Sequence, residues 1–433
     1  MDRLLVRGGN SLKGKVSISG SKNATLPIMA ASIMSSGQVV LHDVPELEDV
    51  NVMAEGLKLL GAKVKREGHT LTIDASTVIQ SELPEELSRK MRASNLVLGA
   101  LLGKIKQARV AFPGGCAIGS RPLDLHIKGF NKIGYDISLE RGFMEGRYTG
   151  TGGGGEILLD FPSVGATENI MMAASLSQGT TVICNAAREP EIVELQNFLN
   201  RMGARIKGAG LDTICIEGVP KLGGIEHTVI PDRIEAGTFM VAAAITEGDI
   251  WIENFAMEHV KPLVAKLSEI GVEIIPGNKG CRVIGHSNYL PTDIKTMPYP
   301  GFPTDMQPQM MALLVSAQGT SVIVETIFEN RYMHVDELRR MGAEIKIEGR
   351  VAIINGSNHY AGATVESSDL RAGAALILAG LKAEGETNIG GLQHIYRGYD
   401  GIADKLKSLG ADISVVSLPN CPPMNDLLEA TAG

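Results

Sequence analysis

Cysteine is scarce in this 433-residue chain and scattered: five residues, at 116, 184, 215, 281 and 421, with no Cys-x-x-Cys pair and no Cys/His spacing suited to zinc. That pattern excludes a disulfide framework and a structural metal, and it predicts reduced thiols in an intracellular setting. Aromatic residues are equally few, 4% with a single tryptophan, which leaves little for stacking nucleic-acid bases. The net charge of −8, from 41 basic and 49 acidic side chains, removes any general attraction to nucleic acid or anionic membrane. No apolar run approaches the roughly 18 residues of a membrane span, and the N-terminal MDRLLVRGGNSLKGK lacks the apolar core of a signal peptide. The expectation is a soluble cytoplasmic protein with no cofactor, no metal and no nucleic-acid or membrane partner. Any anionic ligand has to be met by a local cluster of cations.

What the chain does have is a repeat. The segments LGAKV, IGYDI, MGARI, IGVEI, MGAEI and LGADI place a glycine at 61, 134, 203, 271, 342 and 410, spacings of 68 to 73 residues. Apolar-periodic stretches such as VMAEGLKLLG and ELQNFLNRMG end at these glycines, and an alternating strand pattern follows. This predicts a helix, a left-handed glycine just past its end, then a strand. A second set keeps the same spacing: LPIMAASIMSSG, SNLVLGALLGK, NIMMAASLSQG, GTFMVAAAITEG, MMALLVSAQG and AALILAGLKAEG. These are apolar nearly all round and rich in small residues, as helices buried inside a layer of other elements are. An α/β fold of six repeated units follows, at roughly 100–200 residues per domain divisible as three plus three or as two plus two plus two.

The residues in front of the small-residue helices occupy one register of the repeat: Lys22 and Asn23, Arg92, Ser163 to Gly165, Asp232 and Arg233, Thr304 and Asp305, Asp369 and Arg371. A helix N-terminus carries unpaired N–H groups and partial positive charge, so it accepts anions. Ser163, Thr304, Asp305, Ser368 and Asp369 are equally good capping types. Lys22, Arg92 and Arg371 are not, because a cation there opposes the helix dipole and needs a compensating anion. Outside this register stand Arg121, five residues after Cys116, with Arg331 in FENRYMH and Arg397 in HIYRGYD. Arginine matches carboxylate and phosphate bidentately. The glycine run GTGGGG at 150–155 leads into the strand-like EILLDFP and opens no helix, so it is not a dinucleotide-binding turn. GKVSISGSKN likewise lacks the Gly-Lys-Ser/Thr order of a phosphate-binding loop.

With GSKNATLP, MRASN, PGGCAIGSRPLDLH, REPEI, PDRIEAGT, FPTDMQ, ENRYMHV, DLRAGA and RGYDGI on the page, the chain resembles the UDP-N-acetylglucosamine enolpyruvyl transferases from about residue 1 to about 416. The cysteine loop separates this family from the shikimate-pathway enolpyruvyl transferases of the same architecture. The resemblance implies an inside-out α/β barrel of two three-unit domains, residues 22–229 and 1–21 with 230–433, around a cleft, and a flexible tail over 417–433. It implies transfer of the enolpyruvyl group of phosphoenolpyruvate to the 3′-hydroxyl of UDP-N-acetylglucosamine through a tetrahedral ketal, the step that opens peptidoglycan synthesis.

The same resemblance assigns roles. Cys116 matches the proton donor, Asp305 the residue facing the sugar hydroxyl, and Lys22, Arg121 and Arg397 the clamp on phosphoenolpyruvate. Asn23, Arg92, Pro122, Leu123, Asp124, Leu125, Ser163, Val164, Gly165 and Ile327 match positions that hold the nucleotide sugar, with Arg331, Asp369 and Arg371 lining the cleft. A thiol beside glycine N–H groups and an arginine is expected to have a lowered pKa, which a loaded anionic substrate raises again. A non-catalytic UDP-sugar binder has no need of Cys116 and Asp305, and nucleic-acid binding conflicts with the charge.

Overall fold

The computed structural model describes residues 2–90, 92–112, 118–119, 123–150, 152–356 and 359–417, apart from the side chains of 89, 90, 92 and 93. Cys116, Arg121, Pro122, the side chain of Arg92 and the tail over 418–433 therefore lie outside the described residues.

All six repeat glycines take a positive φ, from +94° at Gly134 to +110° at Gly203, where a Cβ would be strained. Each follows the amphipathic helix predicted for it, as Gly61 follows Glu48–Leu59 and Gly203 follows Pro190–Arg201. The small-residue stretches form six helices: α1 (Lys22–Ser32), α2 (Leu96–Ile105), α3 (Val164–Ser175), α4 (Arg233–Ile245), α5 (Gln307–Leu314) and α6 (Leu370–Lys382). From its second turn each is buried nearly all round. Small residues permit that burial. A Cβ on Gly99 of α2 would come 2.5 Å from the Asn169 carbonyl oxygen of α3, so glycine alone lets these two helices touch.

The described strands form six four-stranded sheets with one recurring pattern, a parallel pair followed by two antiparallel pairings. Their strands alternate exposed and buried, as in Thr213–Glu217, so one face covers the helices and the other meets solvent. The sheets stay separate and close into no barrel of strands; the arrangement is helices inside, sheets outside.

Two large apolar cores result. One gathers buried residues from Ala24 to Val229; the other joins Leu4 to Ile18 with Ile234 to Ile413. The N-terminal strand Asp2–Arg7 is the reason for the split, since it inserts between Glu386–Gly390 and Asp412–Ser417 in the last sheet. Lys13–Ser17 then pairs with Asp249–Glu253 before the chain enters α1. The chain crosses between the cores twice, and the crossings run side by side: Ser21 N–H donates to the Ile230 carbonyl at 2.7 Å, and Asp232 N–H to that of Ser19 at 2.9 Å. The glycine run at 150–155 leads into the edge strand Gly154–Leu158, parallel to Thr180–Cys184, which bears out its reading as a non-nucleotide turn.

Candidate functional site

The capping expectation divides. Ser163 Oγ accepts from Ala166 N–H, and Asp369 caps α6 through Arg371 and Ala372 N–H. Ser21 and Asp232 cap α1 and α4 in the same way. Asp305 caps nothing: it lies in the 3-10 turn Thr304–Met306 that leads into α5, with Pro303 at the cap position. Thr304 instead donates to Glu325 Oε2 at 2.9 Å, and Ser368 reaches Asp369 at 3.5 Å.

Freed from capping, Asp305 receives two arginines. Arg331 Nη2 donates to Oδ1 at 3.0 Å; Arg371 donates to Oδ2 from Nη2 at 2.9 Å and from Nε at 3.2 Å. Both guanidinium groups are buried, at 2% and 1% side-chain exposure, against 27% for Asp305. Burial works to raise the Asp305 carboxyl, but Arg371 and Arg331, aided by Arg233, hold it far below the usual carboxylate range. Arg331 Nε is buried without a hydrogen-bond partner among the described residues, and the Arg371 guanidinium also faces the ring of Tyr399.

A second cluster forms at the start of α1. Lys22 Nζ lies 2.8 Å from Asp49 Oδ2, and Arg397 Nε donates to Asp49 Oδ1 at 2.8 Å. Lys22 and Asp49 belong to one core's chain segment, Arg397 to the other's. Burial lowers the Lys22 ammonium's pKa, Asp49 opposes that, and the facing Arg371 and Arg397 charges lower it further. That repulsion ties the clusters together, because Arg371 belongs to the Asp305 group. The anions that compensate Lys22 and Arg371 are thus the chain's own Asp49 and Asp305.

A third group stands beside them. Leu123 precedes the helix Asp124–Lys132, with Asp124 exposed and Leu125 buried. His126 of that helix lies against Gly165 in the first turn of α3, and its Nδ1 is 3.2 Å from Asn169 Nδ2. Burial pushes His126 down to about 4, so it is a neutral, structural imidazole at neutral pH. Ser163, Val164 and Gly165 are therefore set beside Leu123, Asp124 and Leu125. Asn23 is half-buried next to Lys22. Ile327 is oriented by its N–H bond to Glu325 Oε1 at 2.8 Å. On the near side of the cysteine loop, Asn330 N–H donates to the Ile118 carbonyl at 2.9 Å, one residue before Arg331.

Asp49 escaped the sequence reading because an acidic pair in a helix's first turn, here Glu48 and Asp49, is ordinary dipole complementation. Arg233 was visible in the repeat register but not carried to the site; it pairs with Glu191 of the other core at 2.9 Å. Among the described residues no three His, Cys, Asp or Glu side chains gather as metal ligands, and no helix is long and apolar enough to cross a membrane.

Comparison with known proteins gives the chain's family. Residues 6–406 match the family described as EPSP synthase (3-phosphoshikimate 1-carboxyvinyltransferase). UDP-N-acetylglucosamine 1-carboxyvinyltransferase 1 of Caldanaerobacter subterraneus subsp. tengcongensis is 59% identical over 411 residues, 95% of this chain and 99% of the relative. The enzyme of that name from Halalkalibacterium halodurans is 57% identical over 417 residues, 96% of this chain and 95% of its own. Among solved structures, the enolpyruvyl transferase NikO from Streptomyces tendae superposes with a TM-score of 0.87 at 26% identity, covering 96% of this chain and 99% of its own. EPSP synthase from Acinetobacter baumannii shares the fold, with a TM-score of 0.73 at 19% identity over 96% and 100% of the two chains. The chain belongs to the EPSP synthase family of enolpyruvyl transferases, in which it stands with the UDP-N-acetylglucosamine 1-carboxyvinyltransferases.

Proposed function

We propose that this chain transfers the enolpyruvyl group of phosphoenolpyruvate to the 3′-hydroxyl of UDP-N-acetylglucosamine, releasing phosphate, in the synthesis of peptidoglycan precursors. The observation that carries the reading is a set of cations and carboxylates drawn from both cores, Lys22, Arg397, Arg371 and Arg331 with Asp49 and Asp305, in a chain 59% identical to an enzyme of that name. The two cores are read as domains 22–229 and 1–21 with 230–433, with substrates between them. Phosphoenolpyruvate, a metabolite of the cell interior, fits a cytoplasmic location.

Addition joins the sugar oxygen to C2 of phosphoenolpyruvate while the methylene carbon gains a proton, assigned to Cys116 by the family resemblance. Elimination then breaks the C2–O bond to phosphate, and the methyl group returns a proton as the double bond re-forms. Lys22, Arg121 and Arg397 take the phosphate and carboxylate charge, which is largest on the departing phosphate. Asp305 accepts the hydroxyl's hydrogen bond, aims its oxygen at C2 and passes on the proton released as the O–H bond breaks, which leaves with the departing phosphate, while the methyl group's proton goes back to Cys116. Held so far below the carboxylate range, it orients the nucleophile more than it stores the proton. Ser163 to Gly165 with Leu123 to Leu125 form the wall assigned to the nucleotide.

The test is phosphate release from phosphoenolpyruvate with UDP-N-acetylglucosamine, with shikimate 3-phosphate, or with neither. Turnover is expected only with the nucleotide sugar, and Cys116→Ser is expected to reduce it by roughly 10²- to 10⁴-fold, the span of a lost general acid. Turnover with the shikimate ester instead overturns the reading.

A further inference from the structure

We propose that Asp49 is a positioning residue for the anion clamp: its carboxylate holds the Lys22 ammonium and the Arg397 guanidinium in register across the boundary between the two cores, ready for an incoming phosphate. The inference rests on the function proposed above and extends it to a residue that neither the repeat nor the family motifs single out.

The geometry is that of a built contact. Asp49 is 5% exposed and spends one oxygen on each cation, 2.8 Å in both cases. It lies in the first turn of the helix Glu48–Leu59, whose N-terminal partial charge favours the ionised carboxyl. The surrounding backbone is docked as well. Glu48 N–H donates to the Tyr396 carbonyl at 3.3 Å, and Glu46 N–H to Asp400 Oδ2 at 3.2 Å, so residues 46–49 grip the turn 396–400 on both sides of Arg397. Lys22 itself is fixed from behind, its backbone N–H donating to Asp232 Oδ2 at 3.1 Å.

Without such an anion the clamp works against itself. Lys22 faces Arg371 on α6 and Arg397 beyond the short helix Leu392–Ile395, both positive, and Asp49 is the carboxylate that faces its ammonium. His394 stands near Arg397, where burial and that arginine's charge lower its pKa, so it adds no positive charge at neutral pH. Deleting the Asp49 charge leaves a buried ammonium between two guanidinium groups, and it sheds its proton at a lower pH. A neutral Lys22 holds phosphate poorly, so phosphoenolpyruvate affinity then falls as pH rises.

The experiment compares wild type, Asp49→Asn and Asp49→Glu, measuring kcat and KM for each substrate between about pH 6 and about pH 9, where an unshifted lysine does not titrate. In Asp49→Asn the rise of KM for phosphoenolpyruvate with pH is expected about one pH unit or more earlier than in wild type, as loss of an adjacent opposite charge predicts. KM for the nucleotide sugar at the acid end stays within about threefold, the spread of an unperturbed site. Asp49→Glu keeps the charge but displaces both cations, so its pH profile follows wild type while kcat drops about tenfold. An unmoved profile in Asp49→Asn, or an unchanged kcat in Asp49→Glu, overturns the proposal. Calorimetric titration with inorganic phosphate reads the same clamp without turnover. A wild type that turns over no substrate yet binds phosphate, with Asp49→Asn losing that binding as pH rises, overturns the enzyme reading and supports Asp49; equal pH dependence in the two proteins overturns Asp49.

Discussion

At the scale of single residues, the site is governed by charges that neutralise one another. Asp305 is the clearest case, because its two arginines are more deeply buried than it is. Replacing it with asparagine leaves both guanidinium groups facing a neutral amide. Such uncompensated buried charge costs about 3–5 kcal/mol in a fully buried pair, and less here because Asp305 is partly exposed. We expect Asp305→Asn to lower the melting temperature at pH 7 and to reduce kcat by roughly 10²-fold or more, with the larger effect on kcat than on KM for phosphoenolpyruvate. The pH dependence has a definite sign. A carboxyl whose folded pKa is depressed contributes stability that is fully present above its unfolded value, about 4, and is lost as pH falls through the folded one. The gap in melting temperature between wild type and Asp305→Asn therefore narrows below about pH 4 and holds constant from pH 5 to 8. A gap that changes between pH 6 and 8 contradicts the depressed carboxyl.

At the scale of elements, the ends of the buried helices do the positioning, and one residue serves two of them. Asp232 Oδ1 accepts from Ile234 and Glu235 N–H at the start of α4, at 2.8 and 3.0 Å, while Oδ2 accepts from Lys22 N–H at the start of α1. A capping side chain is worth about 1 kcal/mol, so Asp232→Ala is expected to destabilise by roughly 2 kcal/mol through the two helices. It also loosens Lys22, so KM for phosphoenolpyruvate rises while that for the nucleotide sugar changes little; steady-state kinetics beside a denaturant melt separates the effects. How much of this was legible depends on what kind of force writes it. The six left-handed glycines and the small-residue helices are local consequences of backbone sterics and burial, and they stand in the sequence at a fixed spacing. Asp49 and the double use of Asp232 are not local. Each depends on a partner more than 200 residues away in the chain, and an acidic residue at a helix's cap or in its first turn looks the same whether or not such a partner exists. The division of six units was also open to periodicity alone, since it is set by where Asp2–Arg7 and Glu226–Thr228 find their sheets.

At the scale of the whole molecule, contacts between the two cores include, among the described residues, Asp49 with Arg397, Glu191 with Arg233, and the hydrogen bond from Asn330 to Ile118. The last is the one that brings the cysteine loop's flank against the core that carries Asp305. Gly119 makes this approach possible. Its φ is +149°, and a Cβ there would lie 2.3 Å from Glu329 Oε2 and 3.1 Å from the Glu329 nitrogen. Alanine at 119 must therefore either strain the backbone or move off the second core. Strain of this kind costs about 1–3 kcal/mol, which corresponds to roughly 5- to 150-fold in the population of the contact between residues 118–119 and 329–330. The contact lies at the junction rather than in either core, so the loss falls on docking and not on folding. We expect Gly119→Ala to keep its melting temperature within about 2 °C of wild type, less than a 1 kcal/mol change in global stability would produce, while turnover falls about tenfold or more. Melting and phosphate-release measurements on the same preparation decide it: wild-type turnover in Gly119→Ala means that catalysis does not need this contact, whereas a large drop in melting temperature makes it part of the fold.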